Sequence, residues 1–425
     1  MLCDMRHRSP DGMGLTSTHF YHLGMGRLAI IDLKSDGLCP YTEDNYSLAF
    51  NGEIYNYIEL RQELKKLGWK FRTKSDIEVC LKAYRQWGVK CLDKFNGMFA
   101  LAILDEKHEN IFLARDIAGE KPLYFSYKPF KFASEAKALN FDCLEFPPAH
   151  YMIWSKQYGV EEFEQYWHLK KIKLNLKTVE QDLENLLEDA VRIRTRADVP
   201  YALYLSEGVD SSLIDTFHKF KYKFTYKDKN YRKEFLKKFP KILWHLDAPV
   251  SSFSPFGLYK LAEEASKKVK VVISGEGADE LFGGYVRYVQ PQFNYLAQKE
   301  FPSYKSMFGN AMNVSELGWK EFNGNLRELL RMGDRMSSAF GIENRCPFLD
   351  KRIIEFAFSL PDELKINGLE TKVLLNRILK KRNPKYKPVE KHGLYCSVNK
   401  WLGEKFPLDK KTYLNYQKVL WRKYQ

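Results

Sequence analysis

Tyr201-Ala-Leu-Tyr-Leu-Ser-Glu-Gly-Val-Asp-Ser-Ser-Leu213 decides the fold of the second half of this chain. An apolar run ends in small residues, then come an acid, two serines and a helix-like pattern. A strand feeding a tight loop at a helix N-terminus presents free backbone N–H groups and the positive end of the helix dipole, which favour anions. Gly208 lets backbone approach a ligand closely, Ser206, Ser211 and Ser212 offer hydroxyl donors, and Asp210 can hold a magnesium ion on phosphate. The same composition also suits an ordinary strand-to-helix turn. Glu207 opposes the phosphate reading, because it sets a negative charge where a polyphosphate belongs.

A second unit strengthens the first. Ser274-Gly-Glu-Gly-Ala-Asp-Glu280 follows the Val/Ile run at Val269 to Ile273 and repeats the mixture of small residues and acids. Asp279 can complete a magnesium site with Asp210, and Glu276 faces whatever lies above the sheet. Helix N-capping accounts for Asp279 and Glu280 but not for the glycines or Glu276. Two such units predict a parallel sheet with its ligand at the strand C-termini. Lys223-Phe-Thr-Tyr226 starts a further strand, but Lys227 to Lys241 is too short for the usual strand–helix units. From Ser315 onward the pattern is mostly helical.

The first 140 residues read as short strands with two helices. Tyr46 to Gly52 is a strand ending in an Asn-Gly turn. Asn56 caps a helix from Tyr57 to Leu67, and Ser75 caps one from Asp76 to Trp87; Gly68 and Gly88 stop them. Met98 to Asp105 and Asn110 to Arg115 form a hairpin, giving a sheet-rich layered α/β domain. Pro147-Pro148 and an irregular stretch to Lys177 separate residues 1–150 from 178–425, and a helix runs from Val179 to about Thr195. His7-Arg-Ser-Pro-Asp11, Arg27, Asn51-Gly52-Glu53 and Ser75-Asp76 fall at element ends. Arg27 can clamp a carboxylate while Glu53 and Asp76 receive an ammonium, which suits an α-amino acid. Each alone is also compatible with a plain surface position.

Composition bounds the class. The chain has 425 residues, 44% hydrophobic and 15% aromatic, enough for two or three domains with proper cores. No apolar run approaches the roughly 18 residues a membrane helix needs, and the charged first residues predict no secretory signal. Seven scattered cysteines without a C-x-x-C pair point to reduced thiols in a cytoplasm. Net charge is +14, but the lysines are spread along the chain, which favours a solvated surface over a nucleic-acid partner. The densest basic stretch, Lys380 to Lys387, can equally help hold a nucleotide's phosphates.

In this order the motifs resemble a glutamine-dependent asparagine synthetase of the bacterial B type, over nearly the whole length. The resemblance is carried by His7 to Asp11 (Ser9 standing where the family has Gly), Gly26 to Leu28, Phe50 to Asn56, Gly97 to Ala100, Ala114 to Asp116, Ala133 to Leu139, both loops above, Phe340 to Asp350 and Lys391-His-Gly-Leu394. It implies an α/β and α+β chain of two domains. One is an N-terminal-nucleophile αββα sandwich; the other is a Rossmann-like ATP pyrophosphatase domain with a helical C-terminal part. ATP, with magnesium, converts the aspartate side chain to an acyl-adenylate, and ammonia from glutamine displaces AMP. By motif, Arg27, Asn51, Gly52, Glu53 and Asp76 hold glutamine. Tyr204 (backbone), Ser274 and Gly275 contact ATP; Ser206, Gly208, Ser211 and Ser212 cradle pyrophosphate; Asp210 and Asp279 hold magnesium. Glu276 and Lys391 serve adenylate formation. Homodimers are usual in the family.

Three departures set further expectations. The family's nucleophile is an N-terminal cysteine that precedes the His-Arg motif by a strand and a helix. Here Cys3 falls at the end of that helix, and Leu2 opposes removal of Met1. Cys3 is therefore expected as a buried helix residue, with the glutaminase half inactive as given. The nucleotide sheet is expected to be short between residues 215 and 245. Glu207 weakens phosphate binding. Amide formation on another carboxylate, a catalytically dead homologue and a tRNA-modifying ATP pyrophosphatase stand as alternatives.

Overall fold

The computed structural model describes residues 1–34, 39–248, 252–292, 296, 312–387 and 396. Lys391 and the rest of its motif lie outside the described residues.

The first half is built on a six-stranded antiparallel sheet. Chain order begins with β1 (Met13–Ser17), β2 (His22–Gly26), β3 (Tyr41–Glu43) and β4 (Tyr46–Ile54). Helices α1 (Tyr57–Lys66), α2 (Asp76–Trp87) and the short α3 (Cys91–Lys94) follow. Then come β5 (Gly97–Asp105), β6 (Asn110–Arg115), β7 (Tyr124–Tyr127), β8 (Phe130–Ala133), β9 (Leu144–Glu145), β10 (His150–Ser155) and β11 (Gly159–Gln165). The large sheet has the order β11-β10-β6-β5-β4-β3. Its period-two pattern sorts side chains to two faces. Leu48, Phe50, Phe99, Leu101, Ile103 and Phe112 meet Leu60 and Leu64 of α1 and Val79 and Ala83 of α2. Ala100, Ala102, Leu104 and Leu113 face the other way, against Leu23, Leu123, Phe125 and Phe130 of the small sheets. Two 3-10 turns, Cys3–Arg8 and Ala136–Leu139, cover the outer side.

Several local expectations change. Asn51-Gly52 does not turn; β4 continues to Ile54, paired with β5 throughout. Gly52 has φ of 141°, and a side chain there would strike the Met98 carbonyl, so the glycine serves close strand approach. Ser75 caps α2 through Ile77 N–H, but Asn56 does not cap α1: its amide donates to the Lys94 carbonyl and its oxygen accepts from Asn96 N–H. The irregular stretch after Pro148 contains β10 and β11, which extend the large sheet.

The second half contains α4 (Val179–Arg194), β12 (Tyr201–Tyr204), α5 (Val209–Phe217), β13 (Tyr222–Phe224), α6 (Arg232–Leu246), α7 (Ser254–Ala265), β14 (Val271–Ile273), α8 (Ala278–Phe282) and β15 (Glu343–Arg345). Its sheet is parallel, in the order β13-β12-β14-β15. Between β13 and β14 the described residues hold α6 and α7 and no further strand, so β13 is an edge. The chain leaves β12 toward β13 and returns to β14 on β12's other side. That reversal opens a crevice between the loops after β12 and β14. Helices at Val314–Asn323, Asn325–Ser338, Lys351–Ser359 and Val373–Arg382 pack around it. No described helix is long and apolar enough to cross a membrane.

Candidate functional site

The loops after β12 and β14 meet at that crevice. A Cβ added to Gly275 would stand 2.8 Å from the Asp210 Cβ, so only glycine lets the second loop lie against α5. Ser206 N–H donates to Ser211 Oγ at 3.0 Å, and the two hydroxyls are 3.1 Å apart, which folds the first loop onto the helix start. Gly208 is the N-cap of α5. Glu207 adopts φ of 57°, a left-handed conformation that costs a non-glycine residue roughly 1–2 kcal/mol. Its side chain is exposed, so water screens its charge and the repulsion toward a phosphate falls to about 1 kcal/mol at 4 Å.

Asp210 and Asp279 converge on one point, where the Lys372 ammonium lies 2.6 Å from an oxygen of each. Burial alone would lower the Lys372 pKa, but the two carboxylates outweigh it and raise it. Gly284 makes room, since a side chain there would strike Asp279 and the Lys372 stem. Two hard carboxylate donors meeting at a single cation position suit magnesium. No described group of three or more His, Cys, Asp or Glu side chains forms a cage, so a metal here completes its shell with water and phosphate. Ser274 Oγ donates to Asn344 Oδ1 at 2.8 Å, and Glu276 Oε2 lies 4.0 Å from Cys346 Sγ. Burial raises the Glu276 pKa against hydrogen bonds from Ser274 and Asn344. Tyr204 ends β12 below the loop, and Ser212 lies in the first turn of α5. The basic stretch serves packing in part: Lys381 and Arg382 pair with Glu184 of α4 at 2.8 and 2.7 Å.

In the first half, Arg27, Asn51, Gly52, Glu53 and Asp76 all line one cavity of about 590 Å³. Glu53 is buried, with one oxygen 2.9 Å from Arg345 Nη2 and the other unpartnered. Asp76 accepts from Ile54 N–H at 3.1 Å. Burial, then mutual repulsion, raises the Glu53 pKa, and burial pushes Asp76 to about 6. Arg345 meets one oxygen of this pair, and raised pKa values despite that cation show two adjacent buried acids that suit a further one, as an α-ammonium would supply. Met1, Leu2 and Met5 line this cavity and no cysteine does. Cys3 is exposed in a 3-10 turn rather than buried in a helix, and none of the six residues of that turn is buried; Ser9, just after it, is the first that is.

The His-Arg motif joins the halves. Arg8 donates to Asp334 at 2.8 and 3.0 Å, His7 pairs with Glu135, and Asp11 receives Lys270 at 2.7 Å. Sequence reasoning missed Lys372, Arg345 and Glu343. Arg345 and Glu343 carried the one available signal, opposite charges two positions apart inside the Phe340 to Asp350 motif.

A glutamine amidotransferase domain model matches residues 1–199, and an asparagine synthase model matches residues 182–221 and 230–387. The chain is 29% identical to asparagine synthetase [glutamine-hydrolyzing] 1 of Bacillus subtilis (strain 168), across 93% of this chain and 84% of that protein. It is 31% identical to a probable asparagine synthetase of Schizosaccharomyces pombe, over 88% of this chain and 74% of the relative. Asparagine synthetase 3 of Arabidopsis thaliana is also 31% identical, over 92% and 73%.

The acid pair makes a pH-dependent prediction. A carboxyl whose folded-state pKa exceeds its unfolded value loses stability as pH rises from about 4 through about 6, and the deficit is complete above that. Asp76→Asn should therefore stabilise the chain by on the order of 1–3 kcal/mol at pH 7.5 and hardly at pH 4, read from urea midpoints. Equal effects at both pH values would show that Asp76 is not held above its ordinary pKa.

Proposed function

We propose, since this chain belongs to the glutamine-hydrolysing asparagine synthetase family of ATP-dependent ligases, that it amidates aspartate through an aspartyl-adenylate and takes free ammonia as nitrogen donor. The observation that carries this reading is the convergence of Asp210 and Asp279 on one cation position, beside Glu276, at the C-terminal ends of adjacent parallel strands.

A carboxylate resists attack by ammonia until it acquires a good leaving group. In this reading the backbone at Tyr204 with Ser274 and Gly275 orients the adenine nucleotide, so that the aspartate carboxylate faces the α-phosphorus. Ser206, Gly208, Ser211 and Ser212 donate to the departing pyrophosphate from the start of α5, where the helix dipole favours anions. Asp210 and Asp279 would hold magnesium, which neutralises phosphate charge when bound. Lys372, now between them, is then free to turn its ammonium toward phosphate oxygens. Glu276 takes a proton from the attacking nitrogen as AMP leaves. Lys391, which the resemblance adds to adenylate formation, lies outside the described residues.

The glutamine cavity retains groups for both ends of an α-amino acid, with Arg27 for the carboxylate and Glu53 and Asp76 for the ammonium. Among the described residues no thiol lines it, which supports the proposal that the chain as given does not cleave glutamine.

With ATP, magnesium and aspartate, ammonium should therefore support asparagine and pyrophosphate formation while glutamine supports at most a trace. Equal turnover on the two donors would defeat the ammonia-only claim. Glu207→Gly removes the left-handed strain and the charge near the phosphates, so ATP affinity measured by calorimetry should rise on the order of tenfold. Unchanged affinity would mean that Glu207 does not oppose the nucleotide.

A further inference from the structure

Tyr386 ties down the loop after β12. Its hydroxyl donates to the Glu207 carbonyl at 3.2 Å. Glu207 is the residue of that loop in the left-handed conformation, with φ of 57°. A planar trans peptide points its C=O and its N–H in opposite directions. Anchoring the Glu207 carbonyl therefore fixes the direction of the Gly208 N–H, at the N-cap of α5, where the anion-accepting turn begins.

The segment that carries Tyr386 clasps α5 at three points. Lys372 meets Asp210, in the first turn of α5, at 2.6 Å. Helix Val373–Arg382 then packs beside α5, its Leu375 and Leu379 sharing a core with Leu213 and Ile214. Near the far end of α5, Arg382 donates to the Thr216 hydroxyl and carbonyl at 3.0 and 2.9 Å and lies over the Phe217 ring. A turn follows, closed by the Tyr386 N–H on the Asn383 carbonyl at 3.0 Å, and the phenol comes back to Glu207. Lys372 bears on the cation position and Arg382 on the end of the helix, whereas Tyr386 bears on the loop itself. Burial, then the Asp210 charge, raise the Tyr386 pKa against Lys372, so the phenol stays a donor at neutral pH.

A left-handed turn at a residue with a Cβ persists only where its surroundings hold it. We propose that Tyr386 is a positioning residue for the phosphate loop, its hydroxyl holding Glu207 in the turn that pyrophosphate binding requires. This rests on the nucleotide reading above. Tyr386 acts through the loop and not on the reacting atoms.

The test compares the full chain with Tyr386→Phe, Glu207→Gly and the double variant. Calorimetry measures binding of magnesium pyrophosphate and of AMP, and asparagine formation gives KM values for ATP, aspartate and ammonium. Tyr386→Phe keeps the ring and loses the hydroxyl. It should weaken pyrophosphate binding about fivefold and raise the ATP KM to match, while AMP binding and the KM values for aspartate and ammonium stay within about twofold. In the Glu207→Gly background the same change should cost less than about twofold, because glycine takes the left-handed turn unaided. Unchanged pyrophosphate binding in Tyr386→Phe would overturn the proposal. Equal weakening of pyrophosphate and AMP, or the same loss in both backgrounds, would also overturn it, in favour of a general packing role. A wild type that binds no pyrophosphate would overturn the nucleotide reading, and this proposal with it.

Discussion

The fully buried guanidinium of Arg345 joins the two halves of this molecule. It donates to Glu53 at 2.9 Å, to Glu343 at 2.8 Å, and to the carbonyls of Arg194 and Arg196 at 3.0 and 2.8 Å. A buried charge persists only when it is paired and hydrogen-bonded, and removing one partner of such a group typically costs about 3–5 kcal/mol. Arg345 therefore fixes the cavity lined by Glu53 and Asp76 against the parallel sheet. It sits on β15, whose side chains alternate. Glu343 and Arg345 turn toward the first half, whereas Asn344 reaches Ser274 on the loop after β14. One three-residue strand thus holds a wall of each site.

A second layer of charge surrounds that joint. Arg335, also fully buried, lies 2.8 Å from Glu135 and 3.3 Å from Asp247. Arg194 ties α4 to Asp350, which also accepts from Asn96 at 2.9 Å. An interface built from polar groups orients two units more sharply than apolar contact does, because each misplaced donor leaves a desolvated charge. Such orientation matters when a product or reactant formed on one side is consumed on the other.

Strand and helix positions were legible where period and punctuation agreed, as in the hairpin of β5 and β6 or in α2 between Ser75 and Gly88. The Asn-Gly signal misled because cross-strand pairing with β5 outweighs a local turn preference. β10 and β11 were hidden by Glu161, Glu162 and Glu164, which face solvent on an edge strand and erase the apolar alternation. The Asn51 to Glu53 segment and the loops after β12 and β14 stood out in the sequence because backbone geometry demands particular residues at particular spacings. Lys372 was not, for it meets Asp210 across 162 positions of sequence and no local rule announces such a pairing. The Glu207 charge weighs less in the structure than in the sequence, because its carboxylate faces water; its backbone conformation is the larger cost.

If the crevice between β12 and β14 activates a carboxylate by transferring AMP to it, the oxygen that joins carbon to phosphorus comes from that carboxylate. Isotope tracing tests this most directly. Aspartate labelled with ¹⁸O in its side-chain carboxylate is converted with ATP, magnesium and ammonium, and the phosphorus products are read by mass spectrometry. Adenylation places ¹⁸O in AMP and none in pyrophosphate. Label in inorganic phosphate, with ADP as the nucleotide product, would contradict it.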